Sequence, residues 1–111
     1  MKMAFNSVKE IFTKMPEVFD QEAAAGLDAV IQFNIEGDEG GDWYATIKDQ
    51  TCTVSEGMHD SPTLSLRIAD KNWMALCIGE LNAVFAFMSG KLKAKGDIML
   101  AQRLPKLFSI G

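Results

Sequence analysis

Along the first part of the chain, apolar positions recur every three or four residues; from Ala29 onward the period falls to two. Val8, Ile11, Phe12 and Met15 share one helical face behind Ser7, and Glu10 stands three residues after that serine. A hydroxyl followed by a carboxylate at this spacing is a capping box, so residues 7–15 predict an amphipathic helix. Pro16 ends it or opens a further short piece, since proline fits a first helical position. Asp20 is placed to cap an alanine-rich turn closed by Gly26. Then Ala29, Ile31, Phe33 and Ile35 alternate with Gln32, Asn34 and Glu36. Trp43, Ala45 and Ile47 alternate with Tyr44, Thr46 and Lys48; Cys52 and Val54 with Thr51, Thr53 and Ser55; Leu64, Leu66 and Ile68 with Thr63, Ser65 and Arg67. Segments that are greasy on one side only predict a mostly antiparallel sheet, covered on one face and wet on the other. The glycine-rich stretch 37–41 and Asp49-Gln50 sit where hairpin turns belong, and Gly57–Pro62 forms a longer connection.

The period then returns to that of a helix. Asp70 is placed to cap a helix carrying Trp73, Leu76, Cys77 and Leu81 on one stripe, widened by Met74 and Ile78. Asn82 caps a second helix, Ala83 to Ser89, which is apolar almost all round and is therefore expected to be enclosed. Gly90 suits the left-handed position that ends it. Lys91-Leu-Lys-Ala-Lys95 alternates again and predicts a fifth strand, with Leu92 and Ala94 facing in and the lysines guarding a sheet edge. Asp97 caps a last helix whose stripe is Leu100, Ala101, Leu104, Leu107 and Phe108, and Pro105 is expected to distort it. The fold expected is α+β: one domain over residues 1–111, with a five-stranded, mostly antiparallel sheet covered on one face by about five helices.

Composition narrows the function. With 111 residues, 48% of them hydrophobic, the chain has enough apolar material for one core. Its longest strictly apolar run, Ala83 to Met88, is far shorter than the ~20 residues of a membrane span. The N-terminal stretch lacks the apolar core of a secretory signal, and the final residues form neither a peroxisomal tripeptide nor an ER-retention signal, so a cytoplasmic location is expected. Two cysteines, Cys52 and Cys77, and one histidine offer no zinc spacing, and free buried thiols are the plain reading. Residues 1–90 hold 6 Lys and Arg against 14 Asp and Glu, and residues 91–111 hold 5 against 1. The acidic body argues against nucleic acid as a partner.

Catalytic equipment is sparse. His59, Asp60 and Ser61 have the residue types of a triad, but neighbours in one loop do not face one another as triad members must. Gly37, Gly40 and Gly41 match no phosphate-binding pattern and join two strands. Asp38, Glu39 and Asp42 read as a charged turn. Methionine and phenylalanine are more informative: Met74, Met88 and Met99 fall on or beside apolar helices with Phe85, Phe87 and Phe108. Such a layer packs as a filled core or lines a cavity, and composition leaves both open.

The segment "LSLRIADKNWMALCIGELNAVFAFMSGKLKAKGDIMLAQRL" resembles the sterol carrier protein type 2 family, the non-specific lipid-transfer domains. Its fourth strand, Asp-capped helix, Phe-x-x-Gly-Lys-Leu-Lys turn and final Gly-x-x-x-x-Ala helix are similar to that family's, in order. "VIQFNIEG" and "WYATIKD" are similar to its first hairpin, and the likeness covers roughly residues 5–108. The resemblance implies an apolar tunnel between sheet and helices and a non-enzymatic role binding fatty acyl chains, acyl-CoA, phospholipid or sterol, with no cofactor and no metal. Ser89 departs from the glutamine of some members, and the chain end departs from the animal carriers' peroxisomal signal.

On this reading Phe85, Phe87 and Met88 supply one wall, and Met99, Leu100 and Leu104 supply a second wall or lid; Trp73, Met74, Cys77, Ser89, Gln102, Arg103 and Phe108 are further ligand-binding candidates. Phe33, Ile35, Trp43, Ile47 and Leu66 form the floor. Lys91, Lys93, Lys95 and Arg103 are placed to attract an anionic headgroup or a membrane surface in transient contact. The competing readings are a protein-interaction module, including a homodimer through the last helix, and a lipid-presenting accessory to an acyl-processing enzyme. An enzyme, such as a thioesterase or acyltransferase accessory, would need a polar cluster inside the cavity, for which Ser89, Gln102 and Arg103 are the candidates.

Overall fold

In a computed structural model, which describes residues 7–108 except for the side chains of Ala83 and Pro105, Ser7 Oγ accepts a hydrogen bond from the Glu10 amide at 3.2 Å. That cap starts helix α1 (Val8–Lys14), which buries Val8, Ile11 and Phe12. The expectations for residues 1–6 and 109–111 lie outside the described residues. Pro16 stands in the first turn of a short 3-10 helix, Met15–Val18. Asp20 Oδ1 accepts from the Glu22 and Ala23 amides at 3.0 and 3.1 Å and holds the turn that follows.

Strands β1 (Ala29–Glu36), β2 (Gly41–Lys48), β3 (Thr51–Glu56), β4 (Leu64–Ala69) and β5 (Leu92–Gly96) lie in the order β3-β2-β1-β4-β5. The hairpin pairs β1–β2 and β2–β3 and the pair β4–β5 are antiparallel, as the alternation suggested, but β4 runs parallel to β1, so the sheet is mixed. Ala29, Ile31, Phe33 and Ile35 of β1, Ala45 and Ile47 of β2, and Leu64, Leu66 and Ile68 of β4 face one continuous core. Onto it pack α1, α2 (Asp70–Cys77) and α4 (Ile98–Leu107), the last two through Trp73, Cys77, Leu100 and Leu107. With α3 (Ala83–Met88) the α-helices number four among the described residues, and the fifth expected piece is the 3-10 helix. Asn82 and Asp97 cap α3 and α4 through their side chains, and α4 continues past position 105 to Leu107. Phe19 bridges Phe108, and the Asp20 amide donates to Leu107 O at 2.8 Å, which ties the segment after the 3-10 helix to the end of α4.

Three expectations are corrected. The outer face of the sheet is not uniformly wet. To lie parallel to β1, the segment after β3 must cross that face, and Gln32 holds it there. Gln32 Nε2 donates to Trp43 O and Gly57 O, both at 3.0 Å, and Oε1 accepts from the His59 amide at 2.8 Å. Gln32 is fully buried as a result. His59 Nδ1 in turn accepts from the Ser61 amide at 3.0 Å, and its ring meets Tyr44 edge-on at 5.3 Å, so the loop is a structural strap. Asp70 is not the cap of α2; that position is Ala69. The Asp70 carboxylate instead accepts from the Glu39 and Lys71 amides at 3.1 and 2.7 Å, tying the β1–β2 turn to the helix. Gly37 makes room for it: its φ is +114°, and a Cβ there would lie 2.6 Å from the carboxyl carbon.

The third correction concerns α3. An all-apolar helix is enclosed only if neighbours exist on every side, and this two-turn helix has β5 on one side alone. Ala86 is buried, while Val84, Phe85, Phe87 and Met88 are 46–79% exposed. Gly90, at φ +83°, turns the chain from α3 toward β5 as expected.

Replacing Gln32 with alanine removes three hydrogen bonds and leaves buried backbone partners unpaired. It should destabilise the protein by about 2–4 kcal/mol in urea unfolding. The Glu39 amide first, and the Lys71 amide next, hold the Asp70 carboxyl below its ordinary 3.8. A depressed carboxyl adds stability that is fully present above its unfolded value and is lost as pH falls through the folded one. Asp70→Asn should therefore melt below the parent protein near neutral pH, with the gap closing below about pH 4.

Candidate functional site

The core is filled unevenly. Phe12 of α1 lies between the indoles of Trp43 and Trp73, stacked on them at 5.0 and 5.4 Å with interplanar angles of 10° and 11°. The Phe33 ring meets Phe12 edge-on at 5.3 Å. This aromatic cluster, together with the 3-10 helix resting on β3, covers the β3-β2-β1 side of the sheet. On the other side α2, α3 and α4 stand around the inner face of β4 and β5 without closing on it. They leave a partly open cavity of about 690 Å³. Its floor is Phe33, Leu66, Leu92 and Ala94; its walls are Trp73, Leu76 and Cys77 of α2, the turn 79–82, Val84 and Phe87 of α3, and Ile98, Ala101, Gln102 and Leu104 of α4. Met15 and Phe108 also border it. The volume falls within the ~300–1,000 Å³ typical of small-molecule pockets.

Local rules explain these placements. Asn82 Oδ1 accepts from the Val84 and Phe85 amides at 2.8 and 3.1 Å, which starts α3 at the cavity's edge. Asp97 Oδ1 accepts from the Leu100 amide at 3.2 Å and starts α4 across from it. Strand parity turns Leu92 and Ala94 inward while Lys91, Lys93 and Lys95 stay exposed. The polar side chains on the wall, Glu80, Asn82 and Gln102, are all exposed, so the enclosed part is apolar. Burial pushes the Cys77 thiol on the wall up to about 12 and the Cys52 thiol, away from the cavity, up to about 11. Trp73 Nε1 is buried without an acceptor, and we have no physical account of that. Among the described residues no three His, Cys, Asp or Glu side chains are grouped so as to hold a metal ion.

Of the residues singled out from the sequence, Phe33, Leu66, Trp73, Cys77, Phe87, Gln102, Leu104 and Phe108 lie on the cavity surface. Ile35, Ile47 and Leu100 are buried elsewhere in the core, and Trp43 and Met74 pack against it. Phe85, Met88 and Met99 are exposed, at 58%, 79% and 77%, and lie off the cavity wall. Ser89, also exposed, bonds the Ala86 carbonyl at 3.3 Å. Arg103 Nη2 donates to Ala23 O at 3.0 Å, pinning α4 to the 21–26 turn. Ser89, Gln102 and Arg103 therefore form no polar cluster inside the cavity. Met15, Leu76, Leu81, Leu92, Ala94 and Ala101 were on inward stripes but not recognised as cavity residues. Gly79, Glu80, Asn82, Val84 and Ile98 carried no such signal.

The chain belongs to the SCP-2 sterol transfer family, which matches it over residues 8–109. It is 34% identical over 109 residues to the hydroxysteroid dehydrogenase-like protein 2 of Rattus norvegicus, covering 97% of this chain but 21% of that protein. The chain thus spans about a fifth of the length of this curated relative. Its fold superimposes on the solution structure of palmitated SCP2L2 from Aedes aegypti with a TM-score of 0.70, at 25% identity over 91% of this chain and 93% of that one. The apo sterol carrier protein 2 of Yarrowia lipolytica matches with a TM-score of 0.69, at 26% identity over 93% of this chain and 99% of that one.

Proposed function

We propose that this lipid-binding domain carries a single apolar chain or ring system in the cavity between α2–α4 and the β4–β5 side of the sheet. It works in the cytoplasm and does no covalent chemistry of its own. The observation that carries the reading is the cavity of about 690 Å³, whose enclosed wall is apolar and whose polar side chains are all exposed. Burying a fifteen-methylene chain at about 0.8 kcal/mol per methylene yields roughly 12 kcal/mol gross. Association and ordering cost about 4–15 kcal/mol, so net affinity runs from weak to sub-micromolar according to how far the cavity is preformed. That driving force has no direction, so chain length and bulk set the selectivity. A fatty acyl chain, free or in acyl-CoA or phospholipid, is the ligand class we favour; the palmitated state of the Aedes aegypti relative supports it. A sterol is the alternative within the same cavity.

A second reading, a lipid-presenting module attached to or serving an acyl-processing enzyme, is supported by the chain's spanning 21% of a longer relative. The cavity would serve the same purpose there. Self-association through the last helix is less favoured, because Leu100, Leu107 and Phe108 are buried and only the first turn of α4 exposes large apolar side chains.

Native mass spectrometry of protein purified without detergent should reveal a lipid-sized mass adduct. Ala94→Trp and Ala101→Phe place bulk in the cavity from β5 and from α4. Each should lower binding of a fluorescent fatty acid by about tenfold or more while circular dichroism stays unchanged. Undiminished binding in both would put the ligand elsewhere. Thiol labelling gives an independent check. With a thiol pKa of about 12, Cys77 is only about one ten-thousandth thiolate near pH 8, so alkylation is slow. Loading with fatty acid should slow Cys77 further and leave Cys52 unaffected, read by peptide mass spectrometry.

A further inference from the structure

The large apolar side chains that the fold leaves in solvent are gathered in one region. Apart from Met58, all of those among the described residues stand on α3 or the first turn of α4: Val84, Phe85, Phe87, Met88, Ile98 and Met99. Scattered exposed apolar residues are ordinary; a gathered set of this kind marks a contact surface. Val84, Phe87 and Ile98 also wall the cavity, so the exposed face and the cavity share a border. Between the two helices in sequence lies β5, an edge strand, and Lys91, Lys93 and Lys95 are exposed along it. Lys91 Nζ stands 5.7 Å from the centre of the Phe85 ring, which joins the positive charge to the apolar face. No acidic residue occurs between Glu80 and Asp97, and the one ion pair among the described residues, Lys14–Glu10, is elsewhere.

Resting on the carrier reading above, we infer that this face docks on an anionic lipid bilayer. Helix α3 and the start of α4 enter the boundary between headgroups and acyl chains, and the β5 lysines meet the headgroups. A bilayer answers both halves of the surface at once. A symmetric second copy does not, because an isologous contact pairs this patch with itself, and residues 81–96 hold no acidic side chain to meet the lysines. The rest of the molecule steers the approach. Residues 1–90 carry 14 Asp and Glu against 6 Lys and Arg, so the lysines of 91–95 stand out against an acidic background that an anionic membrane repels. Docked in this way, the cavity border lies against the bilayer, and an acyl chain passes between the two without crossing water.

The test is flotation with phosphatidylcholine vesicles and with vesicles in which about 30% of the lipid is phosphatidylserine. The protein should float with the anionic vesicles and remain behind with the neutral ones. Raised salt, or the triple change Lys91→Glu, Lys93→Glu, Lys95→Glu, should weaken binding by roughly tenfold or more. Met88→Asp with Met99→Asp should also abolish flotation while leaving fatty-acid binding intact, because neither methionine borders the cavity. Parent protein that stays unbound to anionic vesicles, or a methionine variant that floats undiminished, overturns the proposal. So does a dimer in sedimentation velocity that the same methionine changes dissolve. Loss of fatty-acid binding in the parent protein would count against the carrier reading separately, since flotation reports docking without it.

Discussion

Much of this architecture depends on one ring being held between two others. Phe12 sits between Trp43 of β2 and Trp73 of α2, so a strand, the first helix and the second helix are joined by face-to-face contacts 5.0 and 5.4 Å long. Each such pair adds about 0.5–1.5 kcal/mol beyond its burial, and burial of three large rings adds more. The stack commits α1 to the β1–β2 side and fixes α2 at the middle of the sheet. What remains over β4 and β5 is left to two short helices, and they stand off the floor. The cavity is the space left beside the stack, and Phe33 and Trp73 of the same cluster border it.

Most of this was readable along the chain. Strict alternation marked all five strands to within one or two residues, because a half-buried strand has no other way to sort its side chains. Ser7, Asp20, Asn82 and Asp97 act locally and were found as caps or turn formers. Asp70 was misread because its carboxylate is taken by an amide 31 residues away. Gln32 has the parity of a solvent-facing residue, and parity carries no information about a loop crossing above it. Ile47 and Leu66 likewise share a face, yet one lies in the filled core and the other on the cavity floor. Alternation tells which side of a sheet a residue takes; which helix then covers it depends on remote packing. The same gap explains α3, whose composition predicted enclosure while its neighbours covered only Ala86.

The division of labour between the two halves suits a lipid-binding domain. The aromatic half supplies rigidity and shape without offering space. The other half has an apolar interior, exposed polar side chains along its wall, and a thiol held protonated by burial. Membership of the SCP-2 sterol transfer family and a close backbone match to sterol carrier proteins agree with that arrangement.

The parallel pairing of β4 with β1 has a consequence for how the two halves are joined. In the hairpin between β2 and β3, Lys48 meets Thr51 across three positions of chain; in the parallel ladder, Ile31 meets Leu64 across 33. Closing the longer loop costs about 2 kcal/mol more chain entropy. The meander of the first three strands is therefore cheap to assemble by itself, whereas the β1–β4 ladder waits on the crossover, which Gln32 holds from β1 and which Thr63 Oγ1 fastens at its far end by accepting from the Val30 amide at 3.0 Å. Topology draws the sheet's most entropically expensive strand pairing along the margin where the empty space begins.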